Sequence, residues 1–123
     1  SENTVSEIIT FLKSIEKRTV TVNDSPGFVS NRVLMLTINE SMRTVEEGIA
    51  KPADVDKIFK LGFAHSMGPL ATADLIGLDT IMYSLQVLYD EFTDDKFKPC
   101  GLLIKMVEEG QLGKKTGKGF FNY

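Results

Sequence analysis

The chain has 123 residues, 42% of them hydrophobic and 25% charged, the proportions of a folded domain rather than of a disordered or fibrous chain. A net charge of −3 gives no basic face to neutralise phosphates, so no nucleic-acid partner is expected. No run of about 18 apolar residues occurs, so no membrane-spanning helix is expected. Cys100 is the single cysteine; it excludes an internal disulfide and a cysteine-rich metal site and fits a reducing, cytoplasmic setting. The start, Ser1-Glu2-Asn3-Thr4, lacks the basic and apolar stretches of a signal peptide. It also lacks Met, so the chain is expected to be processed or cut from something longer.

Residues 3–17 predict an amphipathic helix, with Val5, Ile8, Ile9, Leu12 and Ile15 at spacings of three and four. The β-branched run Arg18-Thr19-Val20-Thr21-Val22-Asn23 predicts a short strand. A lone strand cannot satisfy its own backbone groups, so its partners must come from another chain or a sheet upstream. Asn23-Asp24-Ser25-Pro26-Gly27 then forms a turn and helix start, with Asp24 or Ser25 as cap and Pro26 in the first turn. A long helix to about Glu47 follows. Phe28, Met35 and Met42 repeat every seven residues with Ile38 and Val45 beside them, so this helix is expected to be central or to face a second subunit.

Gly48 is expected to stop that helix. Pro52 to Leu61 predicts a short helix with Val55, Ile58 and Phe59 inward, ended by Gly62. Leu70 to Ile76 predicts another, broken by Gly77. Asp79 or Thr80 begins a longer one through about Phe92, and Pro99 opens a last one to Glu109. The tail holds four of the ten glycines but ends in Phe120-Phe121-Asn122-Tyr123, aromatics expected to pack. The expected class is mainly α, with about five helices after one helix and one strand.

Few residues offer chemistry. The sole histidine, His65, needs a partner to act as a base; Asp74 or Asp79 are candidates, but no spacing demands either, and a structural or solvent-facing role is favoured. Cys100 follows Pro99 at a helix start, which lowers a thiol's pKa a little, but packing is still favoured over nucleophilic work. Gly113-Lys114-Lys115-Thr116-Gly117-Lys118-Gly119 superficially resembles a phosphate-binding loop, but its glycine spacing is one short, Gly119 stands where Ser or Thr is required, and no helix follows. The lysines there predict a solvated tail. No G-x-G-x-x-G fingerprint occurs. Asn31, in the first turns of the long helix, is placed to donate to a carbonyl oxygen with the helix dipole assisting, although on physical grounds alone a cap and surface amide is the favoured reading.

The segment Asn23-Asp24-Ser25-Pro26-Gly27-Phe28-Val29-Ser30-Asn31-Arg32 closely resembles the C-terminal signature of the 3-hydroxyacyl-CoA dehydrogenase family. The likeness continues through Asn39-Glu40-Ser41, Glu46-Glu47-Gly48, Ala53-Asp54-Val55-Asp56, Met67-Gly68-Pro69-Leu70 and Ala73-Asp74-Leu75-Ile76-Gly77-Leu78-Asp79. It ends at Gly113-Lys114-Lys115-Thr116-Gly117-Lys118-Gly119-Phe120-Phe121. The resemblance implies that residues 1–24 are the last helix and strand of an NAD-binding Rossmann domain, and that residues 25–123 are the helical substrate-binding and dimerisation domain. It implies interconversion of (S)-3-hydroxyacyl and 3-oxoacyl thioesters, with hydride passing to NAD in the complete enzyme.

The family's catalytic His–Glu pair lies upstream of this segment, and His65 does not correspond to it. The fragment alone is therefore expected to be inactive and to bind no cofactor and no metal. The family's active-site Asn maps onto Asn31, with Ser30 and Ile38 expected on the acyl-binding wall. Expected partners are an acyl-CoA, the upstream Rossmann domain and a second copy of the chain. Ser66 and Thr72 depart from residues frequent in the family, Pro and Leu, and point to an altered acyl pocket. Two alternatives follow: a dehydrogenase of acyl groups tethered to a carrier protein, or a helical dimerisation module without catalysis.

Overall fold

A computed structural model of the chain describes residues 4, 6–8, 10 and 26–123. Residues 4, 6–8 and 10 are helical, within the helix expected over 3–17. The expected strand at 18–23 and the Asp24 or Ser25 cap lie outside the described residues. Two compact units divide the chain, Ser1–Leu34 and Met35–Tyr123.

Five α-helices follow from Pro26: α1 (Pro26–Glu46), α2 (Pro52–Gly62), α3 (Pro69–Ile76), α4 (Leu78–Phe92) and α5 (Gly101–Glu108). Short 3-10 turns occupy Asp95–Phe97 and Lys114–Thr116. Among the described residues there is no strand, only the isolated bridges Gly113–Lys118 and Lys118–Asn122. The mainly α class is the one the periodicity predicts.

Met35, Ile38 and Met42 bury one stripe of α1, the three-and-four spacing that faces a helix to a core. The helix ends where Gly48 takes a φ of +74°. There Gly48 N donates to Val45 O and Ile49 N to Thr44 O, the paired bonds of a Schellman stop. Gly110, with φ +74°, ends α5 in the same way, through Gly110 N to Val107 O and Gln111 N to Met106 O. The core of the second unit is Leu70, Ala73, Leu78, Ile81, Leu85, Leu88, Phe97 and Leu103, each at most 2% exposed. Each large aliphatic among them contributes about 1.5–3 kcal/mol by leaving water. Helix α3 packs on α2 and α4, and α4 on α5.

Two expectations are corrected. Ile58 is 57% exposed, because Val55 already takes the inward face of α2 and Ile58 falls to its side. The last helix begins at Gly101, not Pro99, because the backbone before it is drawn out to meet α1. Asn39, fully buried on α1, donates from Nδ2 to Lys98 O at 2.8 Å and accepts Cys100 N on Oδ1 at 3.0 Å. Arg43 also donates to Lys98 O, and Glu46 accepts Leu102 N in the first turn of α5.

Candidate functional site

Asn31 stands in the N-terminal part of α1 and is exposed; Ser30 beside it is half-buried. Both belong to the first unit. Ile38, two turns on, belongs to the second and is fully buried, so it offers no surface to a ligand. The three residues expected on one wall therefore differ in accessibility, and Asn31 is the exposed one of the three.

The second unit contains an open groove of about 540 Å³ between α1 and α2. Leu36, Thr37, Ser41, Val55, Ile58 and Phe59 are among its lining residues. Its surroundings are apolar: Ile49, Ile58, Leu61 and Phe63 are 70%, 57%, 76% and 62% exposed. Nothing in the one-dimensional pattern signals this groove, because its walls come from two different helices.

The other candidates are accounted for locally. His65 is exposed and meets Phe59 edge-on at 5.4 Å, with Phe63 at 6.4 Å. The two candidate carboxylate partners are engaged elsewhere. Asp74 accepts Phe120 N, Phe121 N and the Tyr123 hydroxyl, at 2.9, 3.0 and 2.8 Å. Asp79 Oδ1, shielded from solvent, has the Lys115 ammonium at 2.6 Å as its partner. Cys100 is buried, and that burial pushes its thiol above the ordinary range, the opposite of activation.

The lysine-rich loop closes on itself. Leu112 N donates to Thr116 Oγ1, whose hydroxyl lies 3.0 Å from Lys118 O. Among the described residues, no group of three His, Cys, Asp or Glu side chains could hold a metal ion.

Several polar residues of the sequence signature, Asn39, Glu46, Asp56 and Asp74 among them, hold the helices together. Asp56 accepts Leu70 N and Ala71 N at 2.9 and 2.8 Å, satisfying two free donors at the start of α3. Burial raises its carboxyl above the usual range, the two amides oppose this, and the Asp74 carboxylate adds to the rise. Gly68 is required beside it, since a Cβ there would collide with Asp56. Thr72 bonds back to Gly68 O at 2.8 Å, so its hydroxyl is used within its own helix.

The family model for the C-terminal domain of 3-hydroxyacyl-CoA dehydrogenase matches residues 27–123. Over 123 residues the chain is 50% identical to a probable 3-hydroxybutyryl-CoA dehydrogenase of Bacillus subtilis, covering 100% of this chain and 43% of that protein. A 3-hydroxybutyryl-CoA dehydrogenase of Clostridioides difficile is 46% identical, again over 100% of this chain and 44% of that protein. The crystal structure of (S)-3-hydroxybutyryl-CoA dehydrogenase PaaH1 from Ralstonia eutropha superimposes with a TM-score of 0.80 at 46% identity. It covers 100% of this chain and 44% of that one. The chain spans less than half the length of the relatives it matches. With identity of this order along its whole length, it belongs to the 3-hydroxyacyl-CoA dehydrogenase family, as the helical C-terminal domain.

Proposed function

We propose that the chain is the substrate-side domain of an NAD-dependent dehydrogenase that interconverts (S)-3-hydroxybutyryl and acetoacetyl thioesters of CoA. The observation that carries this reading is the 46–50% identity, over the whole chain, to proteins named for that reaction. In the complete enzyme NAD accepts or returns the hydride. The described residues here are helical with no sheet, and they form no crevice at strand ends of the kind that holds a dinucleotide. The cofactor site is assigned to an upstream Rossmann domain to which residues 1–24 belong, and residues 25–123 form the second domain.

Asn31 is the residue of this chain assigned to the reacting centre. Its exposed amide donates a hydrogen bond to the substrate's 3-oxygen, where negative charge gathers in the transition state. The N-terminal end of α1 adds its partial positive charge. Ser30 lines the same approach, and Ile38 backs the helix from the core. Deprotonation of the hydroxyl falls to a His–Glu pair of the upstream domain. The apolar rim of the α1–α2 groove, where Ile49 and Ile58 are more than half exposed, is assigned to a second copy of the chain. No helix among the described residues is long and apolar enough to cross a membrane, and the assigned compartment is the cytoplasm.

The test is NADH oxidation by the full-length protein with acetoacetyl-CoA. Rapid turnover is expected. A folded protein that binds NADH but leaves acetoacetyl-CoA untouched would overturn the CoA assignment, and turnover of the same acyl group on a carrier protein would replace it.

A further inference from the structure

The C-terminal residues 112–123 are bound to the helical body in an unusual way. Most of their hydrogen bonds are internal: Gly113 N to Lys118 O, Gly119 N to Phe121 O, Tyr123 N to Gly117 O, and those of the Thr116 hydroxyl. Such bonds travel with the segment and do not resist its departure.

The anchoring bonds are few. Leu78 N donates to Leu112 O, Lys115 pairs with Asp79, and Phe120 N, Phe121 N and the Tyr123 hydroxyl all converge on Asp74. Of residues 114–123, Gly119 alone is buried, and Phe120 and Phe121 are half-buried. The helices beneath, in contrast, share Leu78, Ile81, Leu85, Leu88 and Leu103, all fully or almost fully buried. Regions with few buried apolar contacts open below the global unfolding free energy.

We propose that residues 112–123 form a strap that opens as one unit, with Asp74 as its latch and Tyr123 as the outer pin. Three donors on one fully buried carboxylate make the latch two-state, since a partly released Asp74 is a buried charge without its partners. Tyr123 is 54% exposed, against half-buried Phe120 and Phe121, so it is the least covered of the three residues that hold Asp74. Burial and the Asp74 carboxylate hold its hydroxyl well above the ordinary phenol range, which keeps it a donor at any working pH. Fit is close at the latch: a Cβ on Gly113 or Gly119 would collide with Asp74. Gly119 carries no left-handed φ, so an added methyl there acts by contact alone.

Hydrogen exchange of the full chain, read by NMR at single amides, tests this. In the wild type, Phe120 and Phe121 amides are expected to be protected yet to exchange at least about 100-fold faster than those of Leu85 and Leu88 in α4. Tyr123→Phe should speed the strap amides a further roughly five- to tenfold, the loss of one charge-assisted hydrogen bond, whereas Leu85→Val, in the core that the open strap leaves intact, should speed the α4 amides and leave the strap amides unchanged. Gly119→Ala should speed the strap amides more than Tyr123→Phe does. Strap and α4 amides exchanging at one rate would overturn the proposal, as would wild-type strap amides without protection. So would a Leu85→Val effect shared equally by the strap amides; this variant and the wild-type rates decide the matter even if Gly119→Ala does not fold.

Discussion

Side chains of the same sequence signature perform different work here. Asn31 is exposed, whereas Asn39, eight positions on, is fully buried with both ends of its amide bonded to backbone. Removing Asn31 should therefore leave the fold alone and remove a transition-state contact. In the full-length protein, Asn31→Ala is expected to lower kcat by about 10²-fold, the loss typical of one donor to a developing oxyanion. NADH affinity, measured by fluorescence titration, should stay the same; a parallel loss of NADH binding would place Asn31 in the wrong site. Asp74 is the opposite case. Asp74→Ala leaves three donors without their acceptor, two of them backbone amides, and is expected to cost about 3 kcal/mol or more in urea denaturation. Tyr123→Phe removes one of the three and should cost about 1 kcal/mol. Equal losses for the two variants would mean that the amide bonds to Asp74 contribute little.

At the level of elements, what periodicity and punctuation govern was legible. The apolar spacing of α1 and its stop at Gly48, the Pro52 start of α2 and the break at Gly77 follow from rules that act within a few residues. Contacts spanning a large part of the chain were not legible. Asp74 meets Phe120 and Phe121 from 46 and 47 positions away, and Asn39 draws out the backbone before α5 from about 60. No local pattern encodes such pairings, and the residues entered the reading only as members of a signature. Asn31 is assigned as a site residue only through that resemblance, since an exposed amide on a helix is physically unremarkable. The Lys115–Asp79 pair, joining the strap to α4, yields a prediction of its own. The lysine's hydrogen bond lowers the Asp79 carboxyl below its ordinary value. A carboxylate with a depressed folded-state pKa contributes stability above its unfolded value and loses it as pH falls through the folded one. Both side chains are more than two-fifths exposed, so the pair is screened by solvent. Lys115→Met should cost under about 1 kcal/mol near neutrality. That difference from wild type should narrow as pH falls below about 4, in thermal melts of the two proteins across the acid range. A constant difference would assign the loss to lysine packing instead of charge.

For the whole molecule, the decisive feature is apolar surface the chain does not cover by itself. Ile58 and Leu61 lie one turn apart on α2, Phe63 follows with its ring against Phe59, and Ile49 faces the same groove from the turn after α1. All four are more than half exposed. A domain of this size cannot bury all its apolar surface internally, but single exposed residues are ordinary, whereas a contiguous patch around a groove marks an interface. A second copy of the chain accounts for it economically, because a two-fold axis lets one patch cover its own image. The chain is expected to run as a dimer in light scattering at micromolar concentration. Paired substitution of Ile58 and Leu61 by Lys should convert it to a monomer with the same helical circular dichroism, since neither side chain belongs to the core. A wild-type chain that stays monomeric at every concentration would overturn the dimer and leave the patch to the upstream domain. A variant that loses helicity along with mass would show that the patch serves the fold before it serves a partner.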